Sequence, residues 1–434
     1  MGDKKFTLRT VIHKQIAHPE QFKQQLLNWS QDFREIVFLD SNSHHGTYSD
    51  YDCVLAVDAF TSIQTDYFNA FADLQQYYQT TKDWLFGYLS YDLKNDVEML
   101  YSANQDGLQF PDMFFFQPKK LFQLKGDRLE MRYLSMCDED MEEDYHQISK
   151  SENRPAVSQK LEIQQRISNT DYVSKVNEML QHISRGDIYE ANFCMEFFAQ
   201  NAVIDPFATF NSLNKISRTP FAVFLKNHRH YLLSASPERY LKKKGEQLIS
   251  QPIKGTAPRL AERAKDDELK TKLASDPKER SENIMITDLV RNDLSRTAQK
   301  GSVQVTELCG IYSFMQVHQM ISTIVSKLDP KYSPIDALKT SFPMGSMTGA
   351  PKISAMKIIE QLEETKRGLY SGAVGYFSPD GDFDFNVVIR SILYNQDSQY
   401  VSFSVGSAIT SLSDPEKEYE ECLLKAKAMR QVLA

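Results

Sequence analysis

One lysine in the chain has a local setting that would suit covalent chemistry. Lys254 lies within Gln251–Thr256, where a proline before it and a glycine after it predict a short strand leading into a turn. A lysine that is fixed by neighbouring backbone and withdrawn from water can lose its proton near neutral pH and act as a nucleophile. An isolated lysine in a turn is usually a surface residue. The chemical interpretation therefore depends on the rest of the chain.

Four glutamates form two pairs whose spacing would suit a metal ion. Ser-Asp-Pro precedes a helical pattern twice, and Asp-Pro is a favourable helix start. Glutamates in a first turn often only complement the helix dipole. Here each pair has i, i+3 spacing and so occupies one helical face, and two such faces brought together would suit Mg²⁺. The pairs are Glu279 with Glu282 and Glu418 with Glu421.

A glycine-rich loop, an arginine and a histidine are further candidates for binding. Residues 341–352 predict a loop that enters a helix near Pro351, where backbone N–H groups would suit an anion, although the spacing is not that of a Walker loop. Arg390 lies inside an apolar run. We expect it to meet a carboxylate, because a buried guanidinium without an anionic partner is costly. His318 also lies on an apolar strand pattern, where a histidine is usually a hydrogen-bonded core residue.

The bulk properties exclude several classes of function. With 434 residues the chain exceeds the size at which one hydrophobic core keeps growing, so two domains or one large composite fold are expected. The net charge of −8 argues against nucleic acid or an anionic membrane as main partner. No window approaches the roughly 20 apolar residues of a membrane span, and no signal-peptide pattern is present. The five scattered cysteines indicate reduced thiols in a cytoplasmic protein.

The elements that must position these residues favour an α+β fold with large sheets over a doubly wound parallel sheet, because strand and helix patterns mix without strict alternation. Strand-like runs fill residues 1–136, an acidic polar connection follows at 137–160, and a larger region occupies 161–434. An amphipathic helix is predicted to end before Gly186. The other predicted elements of the last region are strands at 221–226, 230–234, 302–307, 372–377, 385–394 and 401–405 and helices at 277–296, 351–364 and 415–432.

Taken in order, these segments resemble the chorismate-utilising enzymes over nearly the whole chain. Within that family the chain is most similar to the synthases that form 4-amino-4-deoxychorismate for p-aminobenzoate and folate synthesis. The resemblance implies large, mostly antiparallel sheets between helices, with residues 1–136 contributing strands and 161–434 forming the catalytic domain. The matching segments are residues 38–41, 87–93, 186–192, 236–240, 252–256, 282–294, 341–352 and 370–376, Arg390, and the helix that begins at 413–415.

The resemblance also implies how the substrate is held. Chorismate is a dicarboxylate with a ring 4-hydroxyl and an enolpyruvyl ether. Mg²⁺ on the four glutamates would bind its ring carboxylate. The enolpyruvyl carboxylate would be held by Arg390, Tyr370 and the backbone around Gly406. The loop residues Ser346, Thr348 and Lys352 are expected to complete the substrate-binding set.

A lysine nucleophile is the centre of the implied reaction. Lys254 would attack C2 while the 4-hydroxyl leaves, and ammonia would then add at C4 and expel the lysine. Glu238 would act as general acid and base on the departing hydroxyl, and His318 would belong to the same catalytic group. Because no cysteine lies in a Gly-x-Cys-x-Gly-like setting and the chain ends after the last helical pattern, ammonia is expected from a separate glutamine amidotransferase subunit.

Two alternatives remain open. Anthranilate-forming relatives have the same site but typically alanine in place of Lys254, and relatives that use water also lack this lysine. A non-catalytic regulatory chain of the same fold is the other alternative, against which the complete set of charged residues argues. The chain departs from its relatives at two points: only Gly406 remains of a Gly-x-Gly segment, and Met344 stands where a smaller residue is commoner.

Overall fold

The computed structural model describes residues 8–44, 46–152, 159–315 and 317–434. Within these ranges the strands are β1 (Arg9–Gln15), β2 (Glu35–Asp40), β3 (Cys53–Thr65), β4 (Leu85–Leu89), β5 (Met113–Lys125), β6 (Arg128–Leu134), β7 (Gln164–Gln165), β8 (Glu190–Ala199), β9 (Phe221–Asn227), β10 (His230–Ser236), β11 (Arg239–Lys244), β12 (Gln247–Gln251), β13 (Ile253–Pro258), β14 (Gln304–Ser313), β15 (Val317–Lys327), β16 (Gly349–Ala350), β17 (Ala373–Phe377), β18 (Phe383–Val387), β19 (Ser391–Asn395) and β20 (Tyr400–Thr410).

Helices cover the outer faces of these strands. They are α1 (Pro19–Ser30), α2 (Ala70–Thr81), α3 (Lys94–Glu98), α4 (Met141–Lys150), α5 (Asn169–Arg185), α6 (Pro206–Ser217), α7 (Arg263–Ser275), α8 (Pro277–Ser295), α9 (Pro334–Ser341), α10 (Lys352–Leu362) and α11 (Pro415–Leu433), with short 3₁₀ turns at Tyr91–Leu93, Asp138–Asp140 and Gly345–Met347. No helix of the described residues is long and apolar enough to cross a membrane.

The strands pair antiparallel in two connected runs, which confirms the predicted α+β class. One run joins β1, β6, β5, β3, β2, β9, β10, β19, β20 and β8. The other joins β5, β4, β17, β18, β11, β12 and β15, with β13 and β14 also on β15. Because β2 pairs with β9 and β4 pairs with β17, the described strands of the predicted region 1–136 belong to the same sheets as those of the region 161–434.

Both faces of the inner strands are buried, so their sequences are continuously apolar. On β2, Ile36 and Phe38 belong to a core formed with α1, α5, α6, α10 and α11, whereas Val37 faces a second core. The second core joins the two runs of strands and receives side chains from α2, α8 and α9. The sheets thereby fix the start of α8 relative to β8, β13 and β20.

Residues 137–160 are only partly the solvated connection that their acidity predicts. Helix α4 buries Met141 and Ile148, and Asp144 accepts a hydrogen bond from Lys120 Nζ at 2.6 Å. The apolar positions of this helix therefore pack on the core, while its glutamates face solvent. The part of the prediction that concerns residues 153–158 lies outside the described residues.

The prediction of one strand across residues 385–394 is wrong. The segment divides into β18 and β19, and Arg390 between them has a left-handed backbone with φ of 53°. A non-glycine residue in this region is uncommon and indicates a constrained turn. Arg390 therefore lies in a turn between two strands and not within one continuous apolar strand.

Candidate active site

The two Ser-Asp-Pro segments begin helices as predicted, and those helices meet. Asp276 accepts hydrogen bonds from the first N–H groups of α8, and Asp414 does the same for α11. Lys278 Nζ of α8 donates to Glu418 Oε1 of α11 at 3.3 Å. The first two turns of α8 and of α11, which contain the two glutamate pairs, therefore lie side by side.

Negative charge accumulates between these helices. Burial and the nearby Glu421 raise the pKa of Glu279. Burial raises the pKa of Glu282 to about 7, although lysines oppose the shift. Burial would also raise the pKa of Glu421, but Lys425, at 2.6 Å, and Lys278 lower it overall. The carboxylates are thus only partly neutralised by protein cations.

The residues present fit a divalent cation. Glu282 Oε1 is buried and has no hydrogen-bond partner among the described residues. Hard carboxylate oxygens and uncompensated negative charge are what Mg²⁺ prefers. No group of three or more potential ligands is already gathered for an ion within the part of the chain that the structure describes, and Lys278 and Lys425 pair with glutamates instead. The magnesium site therefore stays a prediction.

Lys254 is buried and ion-paired. Its Nζ donates to Glu190 Oε1 at 2.8 Å, and the two side chains are 10% and 1% exposed. Burial alone would lower the pKa of Lys254, but Glu190, Glu282 and Glu238 raise it overall. These carboxylates favour the protonated amine, which is opposite in direction to the expectation that the lysine readily loses its proton. The amine needs a proton acceptor before it can attack.

Glu238 has the properties of a neutral-pH acid and base. It lies between β10 and β11, is 4% exposed and accepts a hydrogen bond from Ser346 Oγ at 2.6 Å. Burial raises the pKa of Glu238 to about 7, against the effects of Ser346 and Lys254. The group can therefore hold or release a proton near neutral pH. Ser346 contacts Glu238 directly, which explains why the loop matters to the site.

Arg390 presents a cation that no described residue pairs. Within the described residues its guanidinium makes no hydrogen bond or ion pair, and burial lowers its pKa while Tyr370 and Glu421 act in the opposite direction. The carboxylate that the sequence predicted for it is therefore not supplied by a described residue. A guanidinium held without a partner is suited to bind an external carboxylate.

Gly406 and Tyr370 lie over the same buried strand. A Cβ on Gly406 would come within 2.7 Å of Asn192 Nδ2 and of Cys194 Sγ, so only glycine fits without displacement. Tyr370 is buried, and its hydroxyl lies 3.9 Å from Cys194 Sγ. This close approach explains why a glycine, which has no Cβ, fits at position 406 without displacing either side chain.

His318 makes its hydrogen bonds away from Lys254 and Glu238. Its Nε2 lies 3.1 Å from Asp266 Oδ1 and its Nδ1 lies 2.7 Å from Ser313 Oγ. Both ring nitrogens are thus occupied, and the side chain is buried. This matches a hydrogen-bonded core histidine, and a catalytic role for His318 stays a prediction.

Lys352 and Thr348 anchor the glycine-rich loop. Lys352 Nζ donates to Asp293 Oδ2 at 2.6 Å and to the Ser341 carbonyl at 3.0 Å. Thr348 Oγ1 lies 3.3 Å from the carbonyls of Met344 and Gly345. Since these polar groups are already paired within the protein, their contacts hold the loop rather than present a free charge.

Glu190 is a site residue to which the sequence reasoning gave no role. It opens β8, in which all ten residues are buried. The available signal was a carboxylate at the start of an apolar strand, because a buried charge requires a partner. Lys278 and Lys425, which pair with the glutamates, could not be identified in this way. A lysine in a polar helix pattern is expected to be exposed, and an exposed charge does not require a partner.

Comparison with known proteins identifies the family. The model of the chorismate binding enzyme family matches residues 30–431, and the chain belongs to this family. An aminodeoxychorismate synthase of Streptomyces griseus is 40% identical over 264 residues, which are 60% of this chain and 36% of that protein. The chain therefore spans about a third of the length of that relative.

Relatives named for a different reaction are also similar. Anthranilate synthase component 1 of Thermus thermophilus is 34% identical over 354 residues, covering 79% of this chain and 76% of that protein. The crystal structure of anthranilate synthase component I from Streptococcus pneumoniae TIGR4 superposes with a TM-score of 0.77 at 25% identity, covering 89% of this chain and 93% of that one. The comparisons therefore establish the family and the fold, and the similar proteins carry the names of two different reactions.

Proposed function

We propose that the chain aminates chorismate at C4 to give 4-amino-4-deoxychorismate, with Lys254 as nucleophile. The observation that carries this proposal is the buried amine of Lys254 in the field of Glu190, Glu238 and Glu282. An alanine there, as anthranilate-forming relatives typically have, could not form a covalent bond to the ring. Similarity to aminodeoxychorismate synthases supports the same choice.

Binding of the two substrate carboxylates would use two different groups of the site. Arg390 has an unpaired guanidinium within the described residues and lies within electrostatic range of Tyr370 and Glu421. It would take the enolpyruvyl carboxylate. Glu279, Glu282, Glu418 and Glu421 would hold Mg²⁺, which when bound would neutralise the ring carboxylate and its charge during attack.

The covalent sequence balances with the groups present. Nζ of Lys254 forms a bond to C2, the ring double bonds shift, and the C4–O bond breaks as Glu238 gives its proton to the departing hydroxyl, which leaves as water. Ammonia then bonds to C4, the double bonds shift back, and the C2–Nζ bond breaks with its electron pair returning to the lysine. Glu238 recovers a proton from the new C4 ammonium group.

The test is the identity of the product. Purified protein, chorismate, Mg²⁺ and ammonium salt should give 4-amino-4-deoxychorismate by mass spectrometry, and glutamine should replace ammonium only when a separate amidotransferase subunit is added. Formation of anthranilate would assign the chain to the other branch of the family. No turnover under these conditions would favour a non-catalytic chain.

A further inference from the structure

Glu190 is the direct partner of the proposed nucleophile. Among the described residues it is the side chain to which Lys254 Nζ donates a hydrogen bond, at 2.8 Å. The carboxylate is 1% exposed, and its second oxygen has no hydrogen-bond partner in the described part of the chain. The carboxylate therefore has one oxygen on the amine and a second oxygen that no described residue occupies.

The sheet holds Glu190 firmly in place. As the first residue of β8 it pairs with Ala350 of β16 on one side and with Thr410 of β20 on the other. Lys254 reaches it from β13, where the amide of Asn283 donates to the Lys254 carbonyl at 3.3 Å. Both residues therefore lie in strands rather than in a loop, which fixes the backbone from which each side chain extends.

Lysine attack needs a proton acceptor that has no other task. The carboxylates that act electrostatically on Lys254 are Glu190 of β8, Glu238 before β11, Glu282 of α8 and Glu421 of α11. Glu238 accepts a hydrogen bond from Ser346 and is needed as the acid for the hydroxyl. The two helix glutamates are candidates for the metal. Glu190 is therefore the remaining carboxylate, and its Oε1 already accepts a hydrogen bond from Lys254 Nζ.

We propose that Glu190 is the base that takes the proton of Lys254 and returns it after the lysine is expelled; this rests on the proposed function. One Nζ–H bond breaks and an O–H bond forms on Glu190, which leaves the amine lone pair free to bond C2. When ammonia expels Lys254 as a neutral amine, Glu190 gives the proton back. The ion pair of the resting state is then restored, and no external acid or base is consumed.

The first test is Glu190→Gln, which keeps the size of the side chain and removes its basicity. We expect kcat with ammonium, Mg²⁺ and chorismate to fall by about 10²–10⁴-fold, the range for loss of a general base, while the Kd for chorismate changes less than threefold. Glu190→Asp should have a kcat at least tenfold higher than that of Glu190→Gln. The matched control is Glu196→Gln on the same strand, because Glu196 is equally buried but bonds Tyr400 and Ser402. It should keep kcat within threefold.

The second test measures the charge of Lys254 without turnover. In ¹³C-lysine-labelled protein, the Cε signal that is absent from Lys254→Ala can be followed with pH. Loss of the paired anion in Glu190→Gln should lower the pKa of Lys254 and so leave more neutral amine. A slower enzyme with a more easily deprotonated lysine is the result that a base predicts and a mere structural contact does not.

Three results would overturn the inference. They are a Glu190→Gln enzyme as fast as the wild type or faster, equal activity of Glu190→Asp and Glu190→Gln, and an unchanged pKa of Lys254 in Glu190→Gln. The proposed function fails by different observations: anthranilate as the wild-type product, or full activity in Lys254→Ala. The two failures are therefore distinguishable in the same set of assays.

Discussion

Replacement of Arg390 should separate binding from stability, and a second arginine provides the comparison. Arg390 makes no hydrogen bond through its guanidinium within the described residues. Arg390 is half-buried, whereas Arg367 is buried and bonds both oxygens of Glu363, at 2.6 and 2.9 Å, and the carbonyls of Met347 and Asn192. Within the described part of the chain, one arginine is thus unpaired and the other is fully paired.

The magnitudes follow from these contacts. Two charge-assisted hydrogen bonds to a substrate carboxylate contribute about 1.5 kcal/mol each or more, so Arg390→Ala should weaken chorismate binding by about 100-fold or more. The free energy of unfolding should stay within about 1 kcal/mol of wild type, because no side-chain hydrogen bond or ion pair to a described residue is lost. Arg367→Ala should lower it by about 3–5 kcal/mol, since Glu363 would be left buried and unpaired.

The assay pairs calorimetric titration of chorismate, in the presence of Mg²⁺, with urea unfolding of the free protein. Arg390→Ala should show the loss in Kd and an unchanged unfolding midpoint, while Arg367→Ala should show a lower midpoint. If Arg390→Ala binds chorismate within threefold of wild type, or is as unstable as Arg367→Ala, Arg390 is a structural residue and the carboxylate assignment is refuted.

Three further outcomes are expected. Lys254→Ala should lose the formation of 4-amino-4-deoxychorismate while its calorimetric Kd for chorismate changes less than threefold, since a covalent bond exists only along the reaction path; normal turnover would contradict this. Because the pKa of Glu238 is about 7 and the acid must be protonated to act, kcat should fall as pH rises above about 7, by about tenfold per pH unit once the carboxylate is ionised. A pH profile without that limb would remove Glu238 as the acid. Glu282→Gln should fold normally by circular dichroism but lose magnesium-dependent activity, whereas the exposed control Glu420→Gln should keep it; full activity in both would make the glutamate pairs surface residues.

The features that could be predicted from the sequence depend on local interactions. Helices α8 and α11 begin where Asp-Pro predicts, because the Asp276 and Asp414 side chains cap N–H groups two and three residues away. Helix α5 ends where Gly186 adopts a left-handed backbone. These causes lie within a few residues of their effects, so the sequence alone contains them.

The features that could not be predicted depend on partners distant in sequence. Lys352 is ion-paired with Asp293, which is 59 residues away. The local sequence around either residue does not indicate that the other is its partner. The break at Arg390 gives no signal either, because the apolar residues continue on both sides of it while the backbone turns. A strand pattern shows which residues are buried but not where the hydrogen-bonded ladder stops.

The charge of Lys254 is the clearest case of such dependence. Its own segment suggests an amine that loses its proton easily. Glu190, Glu238 and Glu282, which lie on three different parts of the fold, act on it electrostatically, so that its pKa is raised rather than lowered. A lysine at this position is therefore not sufficient for nucleophilic attack, because the nearest carboxylate decides whether and where its proton can go. On the mechanism proposed above, a lysine at this position without a carboxylate at the position of Glu190 would need another route to lose its proton.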